Sequence, residues 1–114
     1  MQKESSISVR VFYPRFDRKE LIQKLKDKLG DLARKLSLQK VVLFGSYAQG
    51  KHTAASDIDV LVVYKGEERK DAFKIVKTTL QIPLLEPHVY SEDEYRELKE
   101  NVDRMTAGGV TLFP

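Results

Sequence analysis

Two aspartates one residue apart, Asp57 and Asp59, stand at the head of the apolar run Val60 to Val63. Residues two apart on a strand point to the same face, so a strand here sets two carboxylates side by side. Like charges that close, beside an apolar segment, repel each other unless a cation lies between them. Magnesium suits such hard oxygen ligands and completes its shell with water and phosphate oxygens. The plainer reading is that Ser56-Asp57 starts the strand and Asp59 faces solvent.

Upstream, Gly45-Ser46 follow the short apolar run Lys40 to Phe44 and precede a helix start. A glycine there lets phosphate reach unpaired backbone N–H groups, and the serine adds a hydroxyl. Alone, Gly-Ser after a strand is an ordinary turn. Ten residues separate it from Asp57-Ile58-Asp59-Val60, and the combination says more than either half.

That combination resembles the signature of the polymerase-beta-type nucleotidyltransferases. More closely, Leu43-Phe44-Gly45-Ser46-Tyr47-Ala48-Gln49-Gly50, continuing to Ser56-Asp57-Ile58-Asp59-Val60-Leu61-Val62-Val63, is similar to the minimal nucleotidyltransferases of bacteria and archaea. Those proteins are often encoded beside a HEPN-domain partner as the antitoxin of a toxin-antitoxin pair. The resemblance implies that Gly45 and Ser46 hold the triphosphate of ATP and that Asp57 and Asp59 ligate two magnesium ions. It also implies a third carboxylate on a later strand, for which Glu86 is the best candidate, as metal ligand or general base. Here the chain departs from the family pattern. Aspartate flanked by apolar residues is usual, whereas this chain has Leu85-Glu86-Pro87-His88.

Strand alternation would put Leu84, Glu86, His88 and Tyr90 on one face, so His88 is a second, weaker candidate for phosphate or base contact. Lys51 and His52 lie between the two halves of the signature and are read as solvated loop residues, with phosphate contact as the lesser option. Tyr47 and Tyr64 suit either the core or base stacking, the core being favoured.

The elements that must position these groups follow from periodicity. Residues Ile7 to Tyr13 alternate as a strand would, up to Pro14. Asp17 and Glu20 form a capping box, and Leu21, Leu25, Leu29, Leu32 and Leu36 recur at helical spacing. Lys19, Lys26, Lys28, Arg34 and Lys35 occupy the opposite, solvated face. Strands are expected over Lys40 to Phe44, Ile58 to Tyr64 and Leu84 to Tyr90, the last at an edge or with a bulge because of Pro87. Ser46 is expected to cap a short helix over Tyr47 to Gln49 that Gly50 ends. A helix is expected over Glu67 to Gln81, with Ala72, Phe73, Ile75, Val76 and Leu80 apolar. Ser91 and Glu94 open a last helix carrying Tyr95, Leu98 and Val102 on one side, closed by Gly108-Gly109. The apolar tail Val110 to Phe113 must dock on the body, pair with a second copy or meet a partner.

Composition narrows the function classes. In 114 residues, 41% are hydrophobic, enough for one modest core, so residues 1–114 are read as a single domain. Twenty basic against 17 acidic residues leave a formal charge of +3, too little to suggest a dedicated nucleic-acid binder. The lack of cysteine excludes disulfides and thiolate metal sites. No apolar run approaches membrane-spanning length, and a cytoplasmic protein is expected.

The fold expected is α/β (α+β), the nucleotidyltransferase fold, with a small mixed sheet flanked by helices. The activity the resemblance implies is transfer of AMP, or another nucleoside monophosphate, from a nucleoside triphosphate to a hydroxyl, a tyrosine of a HEPN-domain toxin being the expected acceptor. Two rivals remain: a subunit that neutralises its partner by contact alone, and a nucleotidyltransferase acting on a small molecule such as an aminoglycoside.

Overall fold

Leu21, Leu25, Leu29 and Leu32 recur along one stripe of helix α1 (Arg18–Lys35) and are all buried, which docks the helix on the sheet. Each such leucine contributes about 2 kcal/mol when it leaves water. The capping box forms as read: the Glu20 N–H donates to the Asp17 carboxylate at 2.7 Å, and the Asp17 N–H donates to the Glu20 side chain at 3.1 Å. The computed structural model describes residues 17–53 and 56–114, so the strand expected over Ile7 to Tyr13 lies outside the described residues.

After α1 come β1 (Leu38–Phe44), α2 (Ser46–Gln49), β2 (Ile58–Tyr64), α3 (Ala72–Leu80), β3 (Leu85–Ser91), α4 (Glu92–Met105) and β4 (Val110–Phe113). Among the described residues the four strands form one sheet in the order β3, β2, β1, β4. β1 runs antiparallel to β2 and to β4, while β2 and β3 are parallel, joined by α3. The sheet is therefore mixed, with helices on both faces, as expected.

Burial on both faces explains the unbroken apolar run in β2. Ile58, Val60, Val62 and Tyr64 pack against α1 and α3 with Val41 and Leu43. Leu61 and Val63 face the other way, with Val42 and Phe44 of β1 and with Tyr95 and Val102 of α4. By the two-residue period Asp59 shares this second face.

Three expectations about the elements change. The helix expected from Glu67 begins only at Ala72. Residues 65–71 are all exposed and offer nothing to bury before Ala72. Arg69 is held outside the helix: its N–H donates to the Tyr64 hydroxyl at 2.8 Å and its guanidinium grips Asp71 and the Lys35 carbonyl. Phe73 and Leu98, expected on apolar faces, are 49% and 42% exposed, because Ala72, Val76 and Leu80 dock α3 while Tyr95 and Val102 dock α4. Ser46 is the first residue of α2 rather than its cap; Gly45 holds the cap position with φ 80° and carries the chain directly from strand into helix.

The apolar tail docks as β4, pairing Val42 with Thr111 and Leu43 with Val110. Gly109 makes this close approach feasible, since a Cβ there would lie 2.7 Å from the Leu43 carbonyl oxygen and from a Val42 methyl. Among the described residues no helix is long and apolar enough to cross a membrane.

Helix α4 is anchored by its own capping box and by a polar hub. The Glu94 N–H donates to the Ser91 hydroxyl at 3.1 Å, and Ser91 is fully buried. The Tyr95 hydroxyl donates to Asp103 at 2.6 Å, Lys99 Nζ donates to the other Asp103 oxygen at 2.6 Å, and Lys40 Nζ of β1 donates to the Tyr95 hydroxyl at 3.2 Å. The hydrogen bond from Lys99, and then that from Tyr95, holds the Asp103 carboxyl below the usual carboxylate range.

Replacing Ser91 by Ala removes the α4 cap and is expected to cost about 1 kcal/mol in urea unfolding. Because its folded pKa is lowered, Asp103 adds stability above the ordinary carboxylate value and loses it as pH falls through the lowered one. The excess stability of wild type over Asp103→Asn should therefore shrink on acidification through that window, as read by denaturation at a series of pH values.

Candidate functional site

One end of the sheet gathers the C-terminus of β1 and the starts of β2 and β3. The register there sets Phe44 beside Asp59 on one side and Glu86 beside Asp59 on the other. Asp59 is thus the central residue of three, on the strand that lies between its two partners. The mouth is pinned by the Ile58 N–H, which donates to the Leu84 carbonyl at 2.8 Å.

Gly45 turns the chain out of β1 directly against this carboxylate. A Cβ on Gly45 would lie 2.5 Å from Asp59 Oδ2, so only glycine leaves the carboxylate its place. The backbone conformation makes the same demand, with φ 80° and ψ −154°, a region open essentially to glycine alone. Ser46 then opens α2, a position whose amide has no partner within a helix. The turn is braced from behind: Gly50 ends α2 in a left-handed conformation, and Arg18 Nε of α1 donates to the Ala48 carbonyl at 3.2 Å.

The structure brings Gly45, Asp59, Glu86 and His88 to one face of one sheet end. Asp57 lies just before β2 and is exposed, as is Glu86. Leu84 precedes β3 with φ 65° and does not join the face of Glu86, His88 and Tyr90 that alternation had assigned to it. Among the described residues no three Asp, Glu or His side chains converge as ligands of one metal would. Magnesium, however, is commonly held by one or two carboxylates, with water and substrate phosphates completing its shell. Asp59, whose carboxylate lies against a turn with no Cβ, and Glu86, beside it in register, are hard oxygen donors that fit that pattern; Asp57 is a third such donor just before β2.

His88 has a definite place. Its Nε2 lies 3.3 Å from Asp59 Oδ1, and its ring is tilted at 59° against Phe44 with centroids 5.0 Å apart. Alternation along β3 had placed His88 on the correct face; the contact itself depends on the parallel register with β2, which no local pattern encodes. His52, read as a solvated loop residue, instead stacks on Tyr47 with centroids 4.0 Å apart and planes 8° from parallel. Tyr47 and Tyr64 are each 2% exposed and belong to the core, so neither ring is open to stack on a base.

Comparison with known proteins identifies the family and agrees with the fold. A family model described as a nucleotidyltransferase domain matches residues 11–107. A protein of Methanocaldococcus jannaschii provisionally named a protein adenylyltransferase is 40% identical over 60 residues, covering 51% of this chain and 37% of that protein. A second protein of that organism with the same provisional name is 39% identical over 61 residues, covering 51% of this chain and 62% of its own length. This chain thus spans less than two thirds of these curated relatives. Two crystal structures share the fold at 21% identity. One, a provisionally assigned nucleotidyltransferase from Sulfolobus solfataricus, has a TM-score of 0.56 and covers 96% of this chain and 87% of that one. The other, the toxin-antitoxin MntA-HpeT in a doubly mutated form, has a TM-score of 0.55 and covers 77% of this chain and 72% of that one.

The two turn glycines separate backbone strain from site geometry. A Cβ on Gly50 meets nothing within 4 Å. Gly50→Ala should cost only left-handed strain, about 1–2 kcal/mol. Gly45→Ala should cost more in the same denaturation assay, and it alone should displace the Asp59 carboxylate, visible as large amide shifts across residues 58–60 and 86–88 in NMR spectra.

Proposed function

Because the chain belongs to the nucleotidyltransferase domain family, we propose that it transfers AMP from ATP to a hydroxyl, releasing pyrophosphate. The observation that carries this reading is the contact of two sequence signals: the Gly45 turn and the Asp59 carboxylate abut at one end of the sheet. A phosphate-binding turn and a dication-binding carboxylate are useful to triphosphate chemistry only when adjacent.

In this proposal the backbone amides after Gly45 and the Ser46 hydroxyl hold the triphosphate and receive the departing pyrophosphate. Asp57 and Asp59 would hold magnesium, with Glu86 beside them; bound there, it would neutralise charge on the phosphate oxygens. Glu86 accepts the proton of the attacking hydroxyl as the new oxygen–phosphorus bond forms and the bond to pyrophosphate breaks. Its exposure leaves it accessible to an incoming acceptor.

The acceptor we propose is a tyrosine of a HEPN-domain partner, whose modification neutralises it. Two facts support this: the provisional name shared by the two archaeal relatives, and the fold shared with a toxin-antitoxin. That toxin-antitoxin was crystallised with two aspartates, two positions apart, changed to glutamate, a spacing equal to that of Asp57 and Asp59. One observation favours a second reading, in which the chain inhibits its partner by contact alone: Glu86 precedes Pro87 on an edge strand and makes no ion pair among the described residues.

Labelled ATP with magnesium and the partner discriminates the two. Wild type is expected to label the partner and restore growth, whereas Asp57→Ala plus Asp59→Ala loses labelling by at least about a hundredfold, the scale of losing the groups that stabilise a transferring phosphoryl. If both versions neutralise the partner equally and neither transfers label, the enzyme proposal is wrong and the contact reading stands.

A further inference from the structure

Asp59 is held from two sides, one for each oxygen. Oδ2 faces the Gly45 turn, at the spot that a Cβ would invade. Oδ1 faces His88 Nε2 at 3.3 Å. Both side chains are partly shielded, His88 being 28% and Asp59 27% exposed. An ionised carboxylate can only accept, so the hydrogen bond requires Nε2 to carry the proton.

The rest of the surroundings fix the imidazole. Its ring leans on Phe44, the last residue of β1, and its backbone pairs with Leu61 in the parallel register of β2 and β3. Pro87, in register with Val60, stiffens the strand immediately before it. The Asp59 carboxylate has no such restraint of its own, because rotation about its terminal bond is broad. Without a donor on Oδ1, either oxygen can swing away from the turn.

We infer that His88 is a positioning residue: it occupies Asp59 Oδ1 and so commits Asp59 Oδ2 to the Gly45 turn, where a cation and a phosphate would meet. His88 is then neither the base nor a phosphate contact. This rests on the proposed role of Asp59 at a triphosphate site. Hydrogen-bonded partners behind a metal-binding carboxylate typically set its orientation, and losing them weakens metal binding about 10–100-fold.

The experiment uses the full chain, with Mn2+ and a non-cleavable ATP analogue as probes, reading free Mn2+ by electron paramagnetic resonance. Gln places its amide nitrogen near the position of imidazole Nε2, whereas Leu offers no donor and Asn falls short. Expected are Mn2+ binding about tenfold weaker in His88→Leu and His88→Asn, and binding within about threefold of wild type in His88→Gln, on the scale of an outer-shell effect. Unchanged binding in His88→Leu overturns the inference. So does equal loss in Leu and Gln, which would make the ring itself a ligand. Should the Leu variant fail to fold, nitrogen-15 spectra of the metal-free wild type decide: a proton on His88 Nε2 supports the inference, and a bare Nε2 overturns it. Wild type that takes up no Mn2+ sinks the nucleotidyl-transfer reading, while the spectrum still judges the His88–Asp59 contact separately.

Discussion

The end of this sheet is organised by the need to place a carboxylate beside a backbone turn with no atoms between them. Asp59 reaches the Gly45 backbone so closely that any side chain on Gly45 would enter its van der Waals space. That one approach dictates a glycine, a positive φ, an abrupt passage from β1 to α2 and a strand pairing that sets Asp59 opposite Phe44. A carboxylate set this close to a backbone turn is the arrangement that the proposed cation and phosphate would share.

Rigidity at that point is supplied by the remainder of the fold. β2 is the central strand between β1 and β3, and apart from Asp59 all its residues are buried. Burial on two faces leaves little freedom of register, because a slip of one residue would exchange Leu61 and Val63 for Val60 and Val62 and carry Asp59 into the α1 side of the core. The carboxylate is thereby located by hydrophobic packing some distance from any chemistry. Helix α4 closes the second face through Tyr95 and Val102, and the Lys40, Lys99 and Asp103 groups around the Tyr95 hydroxyl set how that helix is rotated. Its rotation leaves Leu98 outside, despite helical spacing that would allow it to be inside.

Where local signals failed, a distant contact had won. The charged stretch before α3 has helix-forming residues, yet the Tyr64 hydroxyl and the Lys35 carbonyl capture Arg69 in an irregular path, and the helix waits for Ala72. The tail Val110 to Phe113 showed only that it had to be covered; its pairing with β1 required the strand edge that Leu43 and Val42 expose after folding, and a glycine at 109 to allow the approach. His52 looked like a solvated loop residue until Tyr47 was found beneath it.

The chain's one-dimensional pattern already determined the capping boxes at Asp17 and Ser91, the leucine stripe of α1, the full extent of β2 and the approach of the Gly45 turn to the acidic start of β2 at Asp59. Each of these depends on interactions within a turn of helix or along one strand, or on the plain demand that apolar residues leave water. Tertiary structure alone decided that β2 and β3 run parallel in the register joining Asp59 to Glu86, and that His88 reaches back to Asp59 Oδ1. Those contacts join residues nearly thirty positions apart. Their geometry follows from how whole elements pack, and no short stretch of sequence contains it.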